Sequence, residues 1–139
     1  MFASYLNESI LKRAQQKRLV RFHFHDLRDF TTDKHRSVDD QPYGGGPGMV
    51  MKVEPIYKAL KSLPKNKKRR ILLMSAKGKP FTQQMANQLT QLNQLIIICP
   101  RYEGVDERVM EYVDEEISIG NYILTGGELP ALVVIDAIT

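Results

Sequence analysis

The sequence predicts an α/β domain, a mostly parallel sheet flanked by helices, on three observations. Short apolar runs at 71–74 and 95–99 and a strand-like stretch at 116–119 alternate with helically spaced segments at 81–92, 105–112 and from Glu128 onward. Alternation of that kind builds parallel strands covered by helices. Residues 95–99 are apolar at every position, as in a strand buried on both faces. The 139 residues, 42% of them hydrophobic and 26% charged, suit one domain with a core of its own.

The elements follow in chain order. Residues 3–16 carry Leu6, Ile10, Leu11 and Ala14 at helical spacing. Residues 19–25 alternate polar and apolar as a strand does. Residues 26–48 have no period and end rich in glycine; so long an irregular segment in a small domain is usually functional. Glu54-Pro55 opens a helix to about Leu63, with the proline where its missing N–H costs nothing. A basic turn at 65–70 precedes the strand at 71–74. The remaining elements are those of the alternation above, and Thr125-Gly126-Gly127 leads into the last helix. No repeat, low-complexity stretch or internal linker divides the chain.

Composition bounds the function. The longest apolar run is far short of the ~20 residues that span a bilayer, the N-terminus lacks a signal-peptide layout, and one cysteine can make no internal disulfide or cysteine-based zinc site. The chain is expected to be cytoplasmic, with no membrane partner. Charge is uneven: residues 1–100 hold 18 Lys/Arg against 7 Asp/Glu, and residues 101–139 hold 2 against 9. A basic front suits a polyanion such as nucleic acid, or is a solvated face opposite an acidic one.

Four loops stand out. Gly44-Gly45-Gly46-Pro47-Gly48 would let another molecule approach the backbone closely, yet it lacks both the P-loop lysine and the dinucleotide pattern; the alternative is a tight turn. Pro100-Arg101-Tyr102-Glu103-Gly104 follows an apolar strand, where α/β sheets place their ligands. Glu103 could there accept hydrogen bonds from a ribose or an amine, or simply favour a helix start. The loop from Ser118 to Pro130 offers backbone groups, Tyr122 and apolar side chains suited to a flat heteroaromatic ring. Ser75-Ala76-Lys77-Gly78 is a further strand-end loop. Together the three strand-end loops describe one crevice.

Other residues invite plainer readings. His23 and His25 have a spacing that could hold a metal, but no third ligand is evident and a structural role is favoured. His35 suits either a phosphate or solvent. Cys99 reads as a small buried hydrophobe. The run Lys65, Lys67, Lys68, Arg69 and Arg70 suits RNA or a solvated turn, and Asp114-Glu115-Glu116 a solvated acidic edge.

Arg28-Asp29-Phe30 and the run from His35 through Asp39-Asp40-Gln41-Pro42-Tyr43 to Met49 resemble the bacterial tRNA (guanine-N1)-methyltransferase family. So do Arg101-Tyr102-Glu103-Gly104-Val105-Asp106-Glu107-Arg108 and the run from Asp114 to Pro130. The match covers nearly the whole chain, in order. The resemblance implies S-adenosylmethionine as methyl donor and N1 of the tRNA guanosine just 3′ of the anticodon as acceptor. It also implies a homodimer with active sites at the subunit interface and the C-terminal deep trefoil knot of the SPOUT class. General topology rules would not suggest a knot; the residues alone stop at an open Rossmann-like sheet.

Carried onto this sequence, the resemblance gives a donor pocket walled by Leu73, Met74, Ser75 and Ala76, then by Pro100, Tyr102, Glu103 and Gly104. Ser118, Ile119, Gly120, Tyr122, Leu124, Gly126 and Gly127 complete it. The stretch Gly44, Gly45, Gly46, Pro47 and Gly48 is expected near the target guanosine, and Arg28, His35 and Arg36 near tRNA. Glu103 is the candidate catalytic carboxylate, or a contact for Mg2+ or the donor amine; no metal ligand is otherwise assigned. The family has an apolar strand before the stretch matching Met1-Phe2 and continues past Thr139 into a helical domain carrying its general-base aspartate. The chain thus reads as the family's N-terminal domain, short at both ends, which alone is either the enzyme or a donor-binding and dimerisation module without activity. Pro100 replaces a usual glycine, fixing φ and removing an N–H, and Ala76 a usual proline.

Overall fold

The chain begins with two helices where spacing predicts one. The computed structural model describes residues 2–40, 49–101 and 104–139, and in it α1 (Phe2–Leu6) and α2 (Ser9–Gln16) meet at a turn. Ser9 there adopts the left-handed region, φ 51°, which a continuous helix does not tolerate. The turn aims Leu6 and Leu11 at one apolar cluster with Leu132, and Gln15 Nε2 donates to the Leu6 carbonyl at 2.7 Å across it.

Residues 19–25, expected as a strand, are in no ladder. Their apolar side chains pack on helices: Phe22 joins the Leu6–Leu11–Leu132 cluster, and the Phe24 ring stacks on Phe2 at 5.1 Å between centroids. Alternation marks a two-faced extended segment, and a helix pair covers such a face as well as a neighbouring strand does. A short 3-10 helix, Leu27–Phe30, follows, its Asp26 cap accepting from Arg28 N at 2.9 Å. Then β1 (Asp39–Asp40) pairs antiparallel with β2 (Val50–Met51) on either side of residues 41–48. Helix α3 (Val53–Ser62) carries Pro55 in its first turn and buries Pro55, Ile56 and Ala59.

The central element is β3 (Arg69–Pro80), far longer than the four residues predicted. Helix α4 (Gln83–Leu89) is capped by Thr82, whose hydroxyl accepts from Met85 N at 3.1 Å, and leads to β4 (Gln94–Ile98). A 3-10 helix, Glu107–Tyr112, stands where an ordinary helix was expected. The chain ends in β5 (Glu115–Ser118) and α5 (Glu128–Ile138). The sheet order is β4-β3-β5, parallel throughout, so the predicted parallel sheet flanked by helices holds. Only Ile98 of β4 is buried, not the whole run, because β4 is an edge strand of this sheet.

Side chains of β3 alternate between two cores. Leu72 and Met74 pack with Ile117 under α4 and α5; Ile71 and Leu73 pack with Ile56, Ile98 and Val109 on the other face. Leu72 is fully buried, and burial of such a side chain contributes about 1.5–3 kcal/mol. Met74 and Lys79 both pair with Ile117, so residues 75–78 bulge out of β3 rather than forming a loop after it. Within that bulge Gly78 lies against β5: an added Cβ would sit 2.6 Å from Glu116 C and Ile117 N. Among the described residues no helix is long and apolar enough to cross a membrane.

Candidate functional site

The carboxyl ends of the parallel strands bring two of the predicted loops into contact. Gly127 N donates to the Pro100 carbonyl at 2.7 Å, and Arg101 forms an isolated antiparallel bridge with Gly126. The approach is close enough to require glycine. A Cβ on Gly127 would lie 2.7 Å from Pro100 Cδ and 2.8 Å from Cys99 Cα. Across this junction Arg101 Nε donates to Glu128 Oε1 at 2.9 Å. Burial, with the Glu128 carboxylate adding to it, pushes the Cys99 thiol up to about 12, so its role is packing.

A cleft of about 250 Å³ opens at the junction, lined by Arg101, Ile123, Leu124, Thr125, Gly126, Glu128 and Leu129. Its apolar walls, loop backbone and single ion pair suit a flat ring with a charged tail. The start of the loop is fixed by Ser118. That buried hydroxyl donates to the Gly120 carbonyl at 2.8 Å and accepts from Gly120 N at 3.1 Å, so Ser118 shapes the loop. Tyr122 covers Gly120, where a Cβ would meet its ring at 2.3 Å.

Other predicted donor residues fall elsewhere. The Leu73 and Met74 side chains point into the two cores, leaving only their backbone for a ligand. Ser75 is half-buried and Ala76 exposed, both in the bulge of β3. Gly104 has φ 109°, a value that favours glycine, and its carbonyl accepts from Met51 N at 2.9 Å. Tyr102 and Glu103 lie outside the described residues, as do Gly44, Gly45, Gly46, Pro47 and Gly48. Sequence reasoning missed Arg101 and Glu128 as a pair. Their opposite charges beside two glycine-bearing loops were the available signal.

A second cleft, of about 400 Å³, is lined by Asp40, Val50, Lys52, Val53, Glu54, Asp106 and Arg108. It adjoins the first across Met51: Val50 and Lys52 line the one, and Arg101, whose N–H donates to Met51 Sδ at 3.1 Å, lines the other. The Asp106 carboxyl is held below its usual range by the hydrogen bond from the Arg108 side chain.

Arg28, His35 and Arg36 are exposed, but the two arginines are engaged within their own loop. Arg28 Nη1 donates to the Arg36 carbonyl and Arg36 Nε to the Arg28 carbonyl, each at 3.3 Å, while Arg36 pairs with Asp29. Asp33 accepts from Ser37 N at 3.0 Å, which lowers its pKa. Among the described residues no three His, Cys, Asp or Glu side chains form a metal-holding group, and His23 and His25 lie exposed.

Known proteins match this chain throughout. The family model for tRNA (Guanine-1)-methyltransferase TrmD matches residues 1–139. A tRNA (guanine-N(1)-)-methyltransferase of Dictyoglomus turgidum is 56% identical over 138 residues, covering 99% of this chain and 56% of the relative. One from Carboxydothermus hydrogenoformans is 57% identical over 139 residues, covering 99% and 54%. The chain thus spans about half the length of the curated relatives it matches. On the full-length match of the family model, it belongs to the tRNA (guanine-1)-methyltransferase family.

Proposed function

We propose that this chain is the donor-binding part of an enzyme that methylates N1 of the tRNA guanosine just 3′ of the anticodon, with S-adenosylmethionine as methyl source. The carrying observation is the junction of the two strand-end loops around the 250 Å³ cleft, in a chain of this family. The donor set fits: Leu124, Ile123 and Leu129 offer apolar walls, Thr125 and Gly126 offer polar backbone, and Arg101 and Glu128 offer charge for the amino-acid tail. When bound, the donor supplies a methyl already electrophilic on its sulfonium.

The residues of this chain then have two tasks. The Gly127–Pro100 hydrogen bond and the Arg101–Glu128 pair hold the cleft walls in register, and alignment of reactants supplies much of the barrier reduction in such a transfer. The 400 Å³ cleft next to it, with carboxylates that accept and cations that donate, suits a guanine edge. Removal of the N1 proton needs a base; Glu103 is the candidate in this chain, and the resemblance adds an aspartate of the family's helical domain.

The same reading carries the trefoil knot, supported by the tight passage of Gly127 against Cys99–Pro100, a cytoplasmic location, and a homodimer. Tyr122, Ile123, Leu129 and Val133 form an exposed apolar strip at the cleft mouth and along α5, which a second copy would cover. The test is calorimetric titration of this chain with S-adenosylmethionine, followed by methyl transfer to tRNA with guanosine or adenosine at the target position. Saturable binding, lost in Gly120→Trp, and guanosine-dependent transfer are expected. A folded chain that binds no donor would overturn the reading.

A further inference from the structure

The basic turn before β3 is absorbed by none of these roles. It lies at the amino end of the sheet, opposite the strand ends that form the cleft: Arg69 and Arg70 open β3 in register with Gln94 and Leu95. Residues 61–70 hold six Lys/Arg and no acid, and residues 81–100, which form α4 and β4, hold no charged residue at all. The two segments are joined directly, since Asn93 N and Gln94 N both donate to the Lys68 carbonyl, at 2.9 and 3.2 Å. Glu115 draws off only Arg70, at 3.2 Å, together with Lys79. Lys65, Lys67 and Lys68 are exposed.

Beside the turn, the segment that follows α4 exposes the amides of Gln91 and Asn93. Lysines contact phosphates, and amides bond phosphate and sugar oxygens. A bilayer would need apolar anchors as well. Every large exposed apolar side chain among the described residues lies outside 64–94.

From this juxtaposition we infer that the basic turn and the amides beside it form a second RNA-backbone contact, remote from the methyl-transfer cleft. The inference rests on tRNA as the substrate and adds where part of its backbone lies. The contact is sequence-independent, holding tRNA by phosphates while the cleft selects the base.

The test measures tRNA binding against salt by fluorescence anisotropy. It uses the unaltered chain, Lys65→Ala/Lys67→Ala/Lys68→Ala, and Lys12→Ala/Arg13→Ala/Lys17→Ala as a control that removes equal charge from exposed α2 positions. The turn variant is expected to lose affinity on the order of 30-fold and to reduce the salt slope by about 2. The control should change little, and S-adenosylmethionine affinity should be the same in all three. Equal losses in both variants would overturn the proposal in favour of diffuse net charge. Unchanged tRNA affinity and slope in the turn variant would overturn it while leaving the RNA substrate standing. Donor binding without tRNA binding by the unaltered chain would overturn it while leaving the donor reading intact. Loss of binding to phosphatidylserine vesicles with tRNA binding retained would reassign the surface to lipid.

Discussion

The sheet side of this molecule and its N-terminal arm use apolar residues in similar proportion, yet they are held in different ways. From β3 to α5, each strand sits in a ladder and both faces of β3 feed a core. From α1 to the segment at 19–25, no ladder exists. The arm is fastened to the rest by the Leu6, Leu11 and Leu132 cluster, by Phe2 against the central core and by Tyr5 Oη donating to Asp136 Oδ1 at 2.7 Å. A ring stack and Gln15 brace it within itself. Where neighbours are fixed by hydrogen bonds along a whole strand, one side chain can be packed from all sides. An arm laid on a surface leaves neighbours that can shift to fill a gap.

The sharpest way to break that contrast is a matched pair of truncations. Leu72→Ala is expected to cost about 3–4 kcal/mol, because fixed strands on both sides cannot close the cavity. Leu11→Ala, in a cluster able to relax, should cost about 2 kcal/mol. Urea unfolding of both variants checks this, and equal costs would erase the distinction.

A second pair sits on the sheet side alone. In Gly127→Ala the new methyl meets backbone, at 2.8 Å from Cys99 Cα and 2.9 Å from Pro100 N, and backbone just past the end of β4 yields less readily than a side-chain tip. The expected cost is about 2 kcal/mol, with loss of donor binding. In Gly126→Ala the nearest atom is Glu128 Oε2, the end of a side chain that can turn about its bonds while Oε1 keeps its bond to Arg101. Its cost should stay below about 1 kcal/mol. Thermal melts with S-adenosylmethionine titrations separate the two.

The same contrast explains what could be read from sequence. The strands at 71–74 and 95–99 were legible because a buried parallel strand needs apolar residues at most positions. The arm misled: the alternation at 19–25 is real, but it records two faces and not the partner that covers one. The extra length of β3 was hidden because Ser75, Ala76, Lys77 and Gly78 look like loop residues, and only the bulge against Ile117 keeps them in the strand. At the candidate site, the glycines marked the loops that meet at the Pro100–Gly127 junction. Leu73 and Met74 did not reach it with their side chains, because strand alternation sends them into the cores. The Arg101–Glu128 pair, 27 residues apart in sequence, is set by tertiary structure and has no local signature.

Cys99 offers a chemical probe of the junction itself. With its thiol pushed up to about 12 by burial and by Glu128, alkylation near pH 8 should be on the order of a thousand-fold slower than for an open thiol. Gly127→Ala should speed it by prising the loop from Cys99, whereas Leu11→Ala, acting on the arm, should not. Rapid labelling of the unaltered chain would show that the loops do not stay closed.

The smallest expected effect concerns acid. The Arg108 side chain, helped by its backbone N–H, holds the Asp106 carboxyl below the ordinary aspartate value of 3.8. The unfolded chain therefore takes up the proton first, so this contribution is present above that value and is lost as pH falls through the lower folded one. Asp106→Asn keeps an oxygen that can cap the 3-10 helix but cannot ionise. The variant should melt slightly below the unaltered chain at about pH 7, and the gap should narrow as the pH falls below the ordinary aspartate value of 3.8. Asp106 caps an element packed on the sheet, whereas Asp33, lowered through Ser37, stays within its own exposed loop. Asp33→Asn is accordingly expected to leave the global melt unchanged across that pH range. A pH-dependent gap for Asp33→Asn as large as that for Asp106→Asn would mean that the loop holding Arg28 and Arg36 is coupled to the core, and that arm and sheet unfold as one.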